Sequence, residues 1–240
     1  MSQRVALFAT CLVDNLAPGV GVAAVRLLEA AGCTVEFPTA QSCCGQPAVN
    51  SGEPEAAATL AAHFVDVFGE YDAVVSPSGS CAAMVHHWYP KLEVADRARV
   101  TEVVGRTREL SSYLVDVLGV VELGAAVPGS VTVHDACHGL RVLGLKSAPR
   151  RLLEAAGAEI VEMAEPELCC GFGGTFAEKH PEISGPLADD KLAGAAATEA
   201  DWLVAGDSGC LMHLEGRRRR SGVGPPAIHY AELLARGLGA

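Results

Sequence analysis

At 240 residues, half of them hydrophobic and a fifth charged, the chain can bury one sizeable core or two smaller ones, which excludes a disordered polymer. The formal net charge of -11 argues against a nucleic-acid or anionic-membrane surface, since polyanions attract excess Lys and Arg. No stretch approaches the roughly 18 apolar residues needed to span a bilayer.

The first β-prone run is Val5 to Phe8, followed at once by Cys11. A cysteine and Asp14 stand where a signal peptide would need its small-residue cleavage site, so this segment reads as a strand of a cytoplasmic protein. An amphipathic helix over Val20 to Ala31 stops at Gly32, which suits the left-handed closing position. A strand over Thr34 to Phe37, the segment Cys43-Cys44-Gly45, a further helix and a buried strand over Ala73 to Val75 lead to Cys81. Gly124 to Ser130, rich in Gly, Ala and Pro, is the expected joint between residues 1–126 and 127–240. Beyond it lie a strand over Val131 to Val133, Cys137, a helix over Pro149 to Ala156 ending at Gly157, and a strand over Glu159 to Glu162. Cys169-Cys170-Gly171, a buried strand over Trp202 to Val204 and Cys210 complete the series. The run Arg217 to Arg220, just before a Gly/Pro stretch, reads as a solvated loop.

This order is a duplication. Arg26 to Gly32 recurs as Arg151 to Gly157 at an offset of 125. Cys11, Cys43, Cys44 and Gly45 recur at an offset of 126 as Cys137, Cys169, Cys170 and Gly171, and Cys81 recurs as Cys210 at 129. Cys33, the ninth cysteine, has Ala158 as its counterpart and reads as a small core residue. The fold class is α/β, with two tandem pseudo-symmetric Rossmann-like subdomains, parallel sheets and a CCG motif in each. Loops following parallel strands emerge at one sheet edge, so four cysteines distant in sequence converge there.

Nine cysteines without a secretory signal imply reduced thiols, whose clusters serve metal or redox chemistry. The spacings Cys-x31-Cys-Cys-x36-Cys and Cys-x31-Cys-Cys-x39-Cys supply four soft ligands per half, as an iron-sulfur cluster requires. They lack the Cys-x2-4-Cys knuckles common in structural zinc sites. Adjacent residues point to opposite faces, which suits a multi-iron cluster better than one tetrahedral ion. A zinc-stabilised scaffold, a vicinal disulfide and a thiol-disulfide reductase are the competing readings. Gly171-Phe172-Gly173-Gly174 lacks nucleotide-loop spacing; small residues there let backbone N–H groups approach cluster sulfurs, with Phe172 and Phe176 excluding water.

Thr10-Cys11-Leu12-Val13-Asp14, Cys43 to Ala48, Pro77 to Cys81 and Cys169 to Phe176 resemble the motifs of the lactate utilization protein A family. Members carry two cysteine-rich CCG domains and are relatives of the B subunit of heterodisulfide reductase and the iron-sulfur subunit of glycolate oxidase. The resemblance runs from about residue 4 to residue 235. It implies a cytoplasmic electron-relay subunit working with the other subunits of an iron-sulfur complex that oxidises L-lactate, or a related 2-hydroxy acid, to pyruvate. It also implies an iron-sulfur cluster, of [4Fe-4S] type, on Cys11, Cys43, Cys44 and Cys81 and another on Cys137, Cys169, Cys170 and Cys210. The fuller family pattern ends each half in Cys-x-x-Cys, but here Met84 and His213 take the last position. Met84 reads as packing, and His213 as a candidate imidazole ligand. His134, Asp135 and His138 flank Cys137 and are candidates for contact with cluster sulfides, Arg141 reads as a solvated cation, and His86 and His87 as surface residues.

Overall fold

The computed structural model describes residues 4–239, so the outer ends of the two expected halves, residues 1–3 and 240, lie outside the described residues. The first half runs β1 (Arg4–Leu7), α1 (Cys11–Leu16), α2 (Pro18–Ala30), β2 (Thr34–Glu36), α3 (Gln46–Asn50), α4 (Pro54–Phe68) and β3 (Ala73–Ser76). It continues with α5 (Gly79–His87), α6 (Arg97–Arg106), β4 (Thr107–Glu109) and α7 (Leu110–Ser112). The second half repeats the plan as β5 (Ser130–Val133), α8 (Cys137–Leu143), α9 (Ser147–Ala155), β6 (Glu159–Ile160), α10 (Thr175–Lys179) and α11 (Pro181–Ala196). Its last elements are β7 (Trp202–Ala205), α12 (Ser208–Ser221), β8 (Ala227–His229) and α13 (Tyr230–Gly237).

Each half builds a four-stranded, wholly parallel sheet, in the orders β2-β1-β3-β4 and β6-β5-β7-β8. Val5 pairs with Val35 and Ala73 in one sheet, and Val131 with Ile160 and Trp202 in the other. Strand order reverses between β1 and β3, and between β5 and β7, where doubly wound sheets open a crevice at their carboxyl edge. β4 and β8 go beyond the sequence reading. Each is three residues long on a sheet edge, too short for any periodic signal.

The repeated Arg-Leu-Leu-Glu-Ala-Ala-Gly segments close α2 and α9 in the same way. Gly32 and Gly157 sit at φ 85° and 87°, and the next N–H, of Cys33 and Ala158, returns to the carbonyls of Leu28 and Leu153. Cys33 is half-buried against the core and far in the fold from the other eight.

One apolar cluster is common to both halves. Leu27 and Leu28 of α2, Leu152 and Leu153 of α9, and Leu233 and Leu234 of α13 share it, together with Tyr113 and Tyr230. The opposite face of each sheet has its own core, around Phe8, Phe64 and Val74 in one half and Leu192, Leu203 and Leu214 in the other. The joint is pinned, since Ala126 N–H donates to the Gly237 carbonyl at 3.1 Å. Where α5 crosses α8, a Cβ on Gly79 would stand 3.2 Å from Gly139 Cα, so side-chain-free positions set this approach.

The arginine run is helical, not a loop. It forms the end of α12, where cations complement the helix dipole; Arg218 and Arg219 both pair with Glu215 one turn back, and Arg217 reaches Asp189 on α11. His86 is not a surface residue either. Its Nε2 lies 2.8 Å from the Thr107 carbonyl, and burial lowers its pKa; His87 is exposed.

Candidate metal centres in a shared cleft

Each quartet of cysteines assembles at the carboxyl edge of its sheet. Cys11 opens α1 after β1, Cys81 lies in the first turn of α5 after β3, and Cys137 and Cys210 hold the same places on α8 and α12. The vicinal pairs arrive on the loops after β2 and β6, which turn through Gly45 and Gly171, both at φ 87°. At Gly171 the constraint is doubled, because a Cβ would run into the Ser184 carbonyl of α11, whereas at Gly45 the nearest backbone atom is 3.6 Å away. Thr10 has φ 72° although it is β-branched, so the first half holds Cys11 on a strained backbone; its counterpart Ala136 is relaxed at φ -59°.

Within each quartet the thiols form a chain of contacts in the same order. Cys11 Sγ is 3.7 Å from Cys43 Sγ, and Cys43 and Cys44, then Cys44 and Cys81, are neighbours. In the second half Cys169 lies between Cys137 and Cys170, and Cys170 meets Cys210. One member of each chain is held below the ordinary cysteine range. Cys43 is held down to about 2 by the thiol of Cys11, then that of Cys44, with the N–H groups of Gly45 and Cys44 adding to them. Cys169 is likewise held down to about 2, by Cys137, then Cys170, and by the Gly171 N–H, which donates to its Sγ at 3.3 Å. The partners donating to these thiolates, Cys11, Cys44, Cys137 and Cys170, are pushed up by that same hydrogen bond and by burial. Cys170 pulls Cys210 down, but burial and Asp207 leave it raised.

All eight cysteines line one cavity of about 290 Å³ between the halves. Asp207 holds its floor together. Its Oδ1 accepts the Gly209 N–H of α12, while Oδ2 accepts the Ser80 N–H of α5 at 3.0 Å and the Ser78 hydroxyl at 3.3 Å. On the rim Gln46 Nε2 and His138 Nε2 meet at 3.3 Å across the halves, and His138 Nδ1 lies 3.7 Å from Cys137 Sγ. The donor set fits a thiophilic metal group in each half. Four converging sulfurs, with none tied up in a disulfide, is the ligand set that iron clusters use. Phe172 N–H donates to Cys170 Sγ at 3.5 Å, as expected of the glycine-rich segment. Phe172 lines the cleft; Phe176 does not, and faces the ring of His180 instead.

The remaining polar candidates separate clearly. Met84 is buried in the first-half core. His213 Nε2 lies 3.1 Å from the Ser184 hydroxyl, which itself donates to the Gly171 carbonyl, so His213 braces the turn outside the cleft. Asp135 is taken by a bidentate Arg150, at 2.7 and 3.1 Å, and Arg141 is exposed. His134 is only 2% exposed; neither ring nitrogen has a hydrogen-bond partner of good geometry, and the Pro166 carbonyl stands near enough only to oppose the lowering of its pKa. Burial, then the nearby Lys191 charge, lowers it to about 4.

Lys191 was not singled out from the sequence. It is 1% exposed on α11, and its Nζ donates to the carbonyls of Glu165 at 2.6 Å and Pro166 at 3.1 Å, bracing the loop before Cys169. A lysine among Ala188, Leu192 and Ala195 on an otherwise buried stripe was the available signal. Its counterpart, 127 positions earlier, is Phe64, as that of His134, 126 earlier, is Phe8. In the first half these two rings stack edge-on at 4.9 Å, with Tyr89 donating its hydroxyl to the Cys44 carbonyl.

A cysteine-rich domain family called CCG matches residues 5–86 and again residues 131–215. The chain is 46% identical to "Lactate utilization protein A" of Macrococcus caseolyticus (strain JCSC5402), covering 97% of this chain and 96% of that one. It is 44% identical to "Lactate utilization protein A 2" of Bacillus mycoides (strain KBAB4), covering 97% and 98%. Among solved structures, a hypothetical protein from Helicobacter pylori shares the fold at a TM-score of 0.70 and 11% identity; the match takes in 99% of this chain and about half, 49%, of that one.

Proposed function

This chain belongs to the lactate utilization protein A family, whose members carry two CCG cysteine-rich domains, and from that premise we propose that it is an iron-sulfur electron-transfer subunit. The observation that carries the reading is the convergence of both quartets on one cleft. Residues 1–126 supply Cys11, Cys43, Cys44 and Cys81, and residues 127–240 supply Cys137, Cys169, Cys170 and Cys210. The groups they hold, iron-sulfur clusters of [4Fe-4S] type, supply one-electron redox chemistry. The protein's own part is to present the sulfurs, to neutralise them with N–H donors from the CCG turns, and to bury two of each quartet, Cys44 and Cys81 in one half and Cys170 and Cys210 in the other.

The electrons come from the oxidation of L-lactate, or a related 2-hydroxy acid, to the 2-oxo acid, which releases two electrons and two protons. A one-electron site in each half matches that stoichiometry. Among the described residues no convergent acid-base pair or nucleotide loop is suited to oxidising the acid, and we assign that reaction to other subunits of a cytoplasmic complex. Among the described residues no helix is long and apolar enough to cross a membrane. Anaerobic purification is expected to give brown protein with several irons per chain and a redox-active paramagnetic signal. Colourless protein that stays iron-free after anaerobic reconstitution, or that takes up zinc alone, overturns the proposal.

A further inference from the structure

His134 stands in the second half where Phe8 stands in the first, and its surroundings give it no ordinary structural occupation. It sits one residue beyond β5, its backbone N–H donates to the Val204 carbonyl at 2.8 Å, and its ring has the Pro166 carbonyl nearby but no well-formed hydrogen bond. A buried polar group without a well-formed hydrogen bond is costly, and an apolar ring at this place is what the duplication itself offers in Phe8. One ring nitrogen, Cys170 Sγ and Cys210 Sγ all lie within 4.8 Å of one another, the one such grouping among the described residues.

We infer that His134 is a nitrogen ligand to the metal group of the second half, taking one position there beside the thiolates, while the first site has thiolates alone. The inference rests on the proposal above that the second quartet holds iron. His134 reaches the sulfurs from within the protein, since it does not line the cleft. It also borders a second cavity, of about 30 Å³, with room for a water to accept the remaining ring N–H. The other histidines nearby are not equivalent: His213 is spent on Ser184, and His138 lies on the rim against Gln46.

The test is pulsed electron paramagnetic resonance on the reduced, iron-loaded full chain, with natural-abundance and ¹⁵N-histidine labelling compared. A hyperfine coupling from a directly bound imidazole nitrogen is expected, shifting with the label. It is expected to persist in His138→Ala and His213→Ala and to vanish in His134→Phe. The first-half counterpart residue is chosen for that variant so that the pocket stays filled, and iron content is measured alongside. Iron in the second half with no histidine coupling in the unsubstituted protein overturns this inference alone, whether or not the variant folds. A coupling that survives in His134→Phe overturns it as well. A chain that takes up no iron overturns the electron-transfer proposal and this inference with it.

Discussion

The two halves share a topology and a cysteine spacing, yet they pack different chemistry behind the thiols. Behind Cys44 stand Phe8, Phe64, Phe68 and Tyr89, an aromatic box with centroid separations of 4.5 to 5.5 Å. Behind Cys170 stand His134 and Lys191, with Ala195 in the place of Phe68. The first environment is aromatic and uncharged; the second holds the nitrogens of a buried imidazole and a buried lysine. Duplication preserves what the chain must do to bring four sulfurs together, while the layer behind them is free to diverge and make two sites unequal.

The sharpest break of this comparison is to move one half's residue into the other. Phe64→Lys removes the central ring of the aromatic box and buries an ammonium with no carbonyls arranged to receive it. It is expected to cost about 4 kcal/mol or more, measured by denaturant unfolding. The CCG turns differ next. Gly171→Ala meets both the left-handed backbone and the Ser184 carbonyl and should cost about 3 kcal/mol, against about 1 kcal/mol for Gly45→Ala, where only the backbone resists. Equal costs in the same assay would remove this asymmetry.

The strands β4 and β8 end in unlike caps. Glu109 accepts from Ser111, Ser112 and Tyr230, and burial raises its pKa; His229 accepts the Ala231 N–H and reaches the Pro77 carbonyl at 2.9 Å across the halves. His229 is depressed from 6.5 to about 4, chiefly by burial. The unfolded chain therefore binds the extra proton first, and stability present above pH 6.5 is lost as pH falls toward 4. Glu109 acts in the opposite sense, its raised pKa favouring the fold as it becomes protonated. Between about pH 7.5 and about pH 5, His229 should cost the chain about 2 kcal/mol. His229→Gln, which can keep both hydrogen bonds, is expected to reduce the slope in paired unfolding curves by that share, leaving the same-signed contribution of buried His134.

The smallest expected effect tests the strain at Thr10. Thr10→Gly relieves the φ of 72° and should stabilise the chain by about 1 kcal/mol, a rise of about 2 °C in Tm. Ala136→Gly in the relaxed second half should destabilise by about 0.5 kcal/mol through added unfolded-chain entropy. Stabilisation by both changes would show that the backbone strain is not confined to the first half, and destabilisation by both that Thr10 is not strained.

The duplication, the α/β class, the eight cysteines that recur between the halves and the family are legible in the amino-acid sequence, because each is written in local periods and in spacings that survive as plain text. Gly32 and Gly157 were legible as helix ends for the same reason: the left-handed turn is a property of one residue. Only the tertiary structure decided that both quartets face one cleft, since that depends on how two sheets are clasped by Gly79 against Gly139 and by Asp207 on Ser80. It also decided that the arginine run is helical, through Glu215 and Asp189, and that β4 and β8 exist at all, because three-residue edge strands are defined by the neighbour they pair with. His134 and His213 look alike as letters beside cysteines. Their difference, one nitrogen pair left without a well-formed hydrogen bond among buried sulfurs and one spent on a serine, is a fact about neighbours distant in the chain, and no local pattern encodes it.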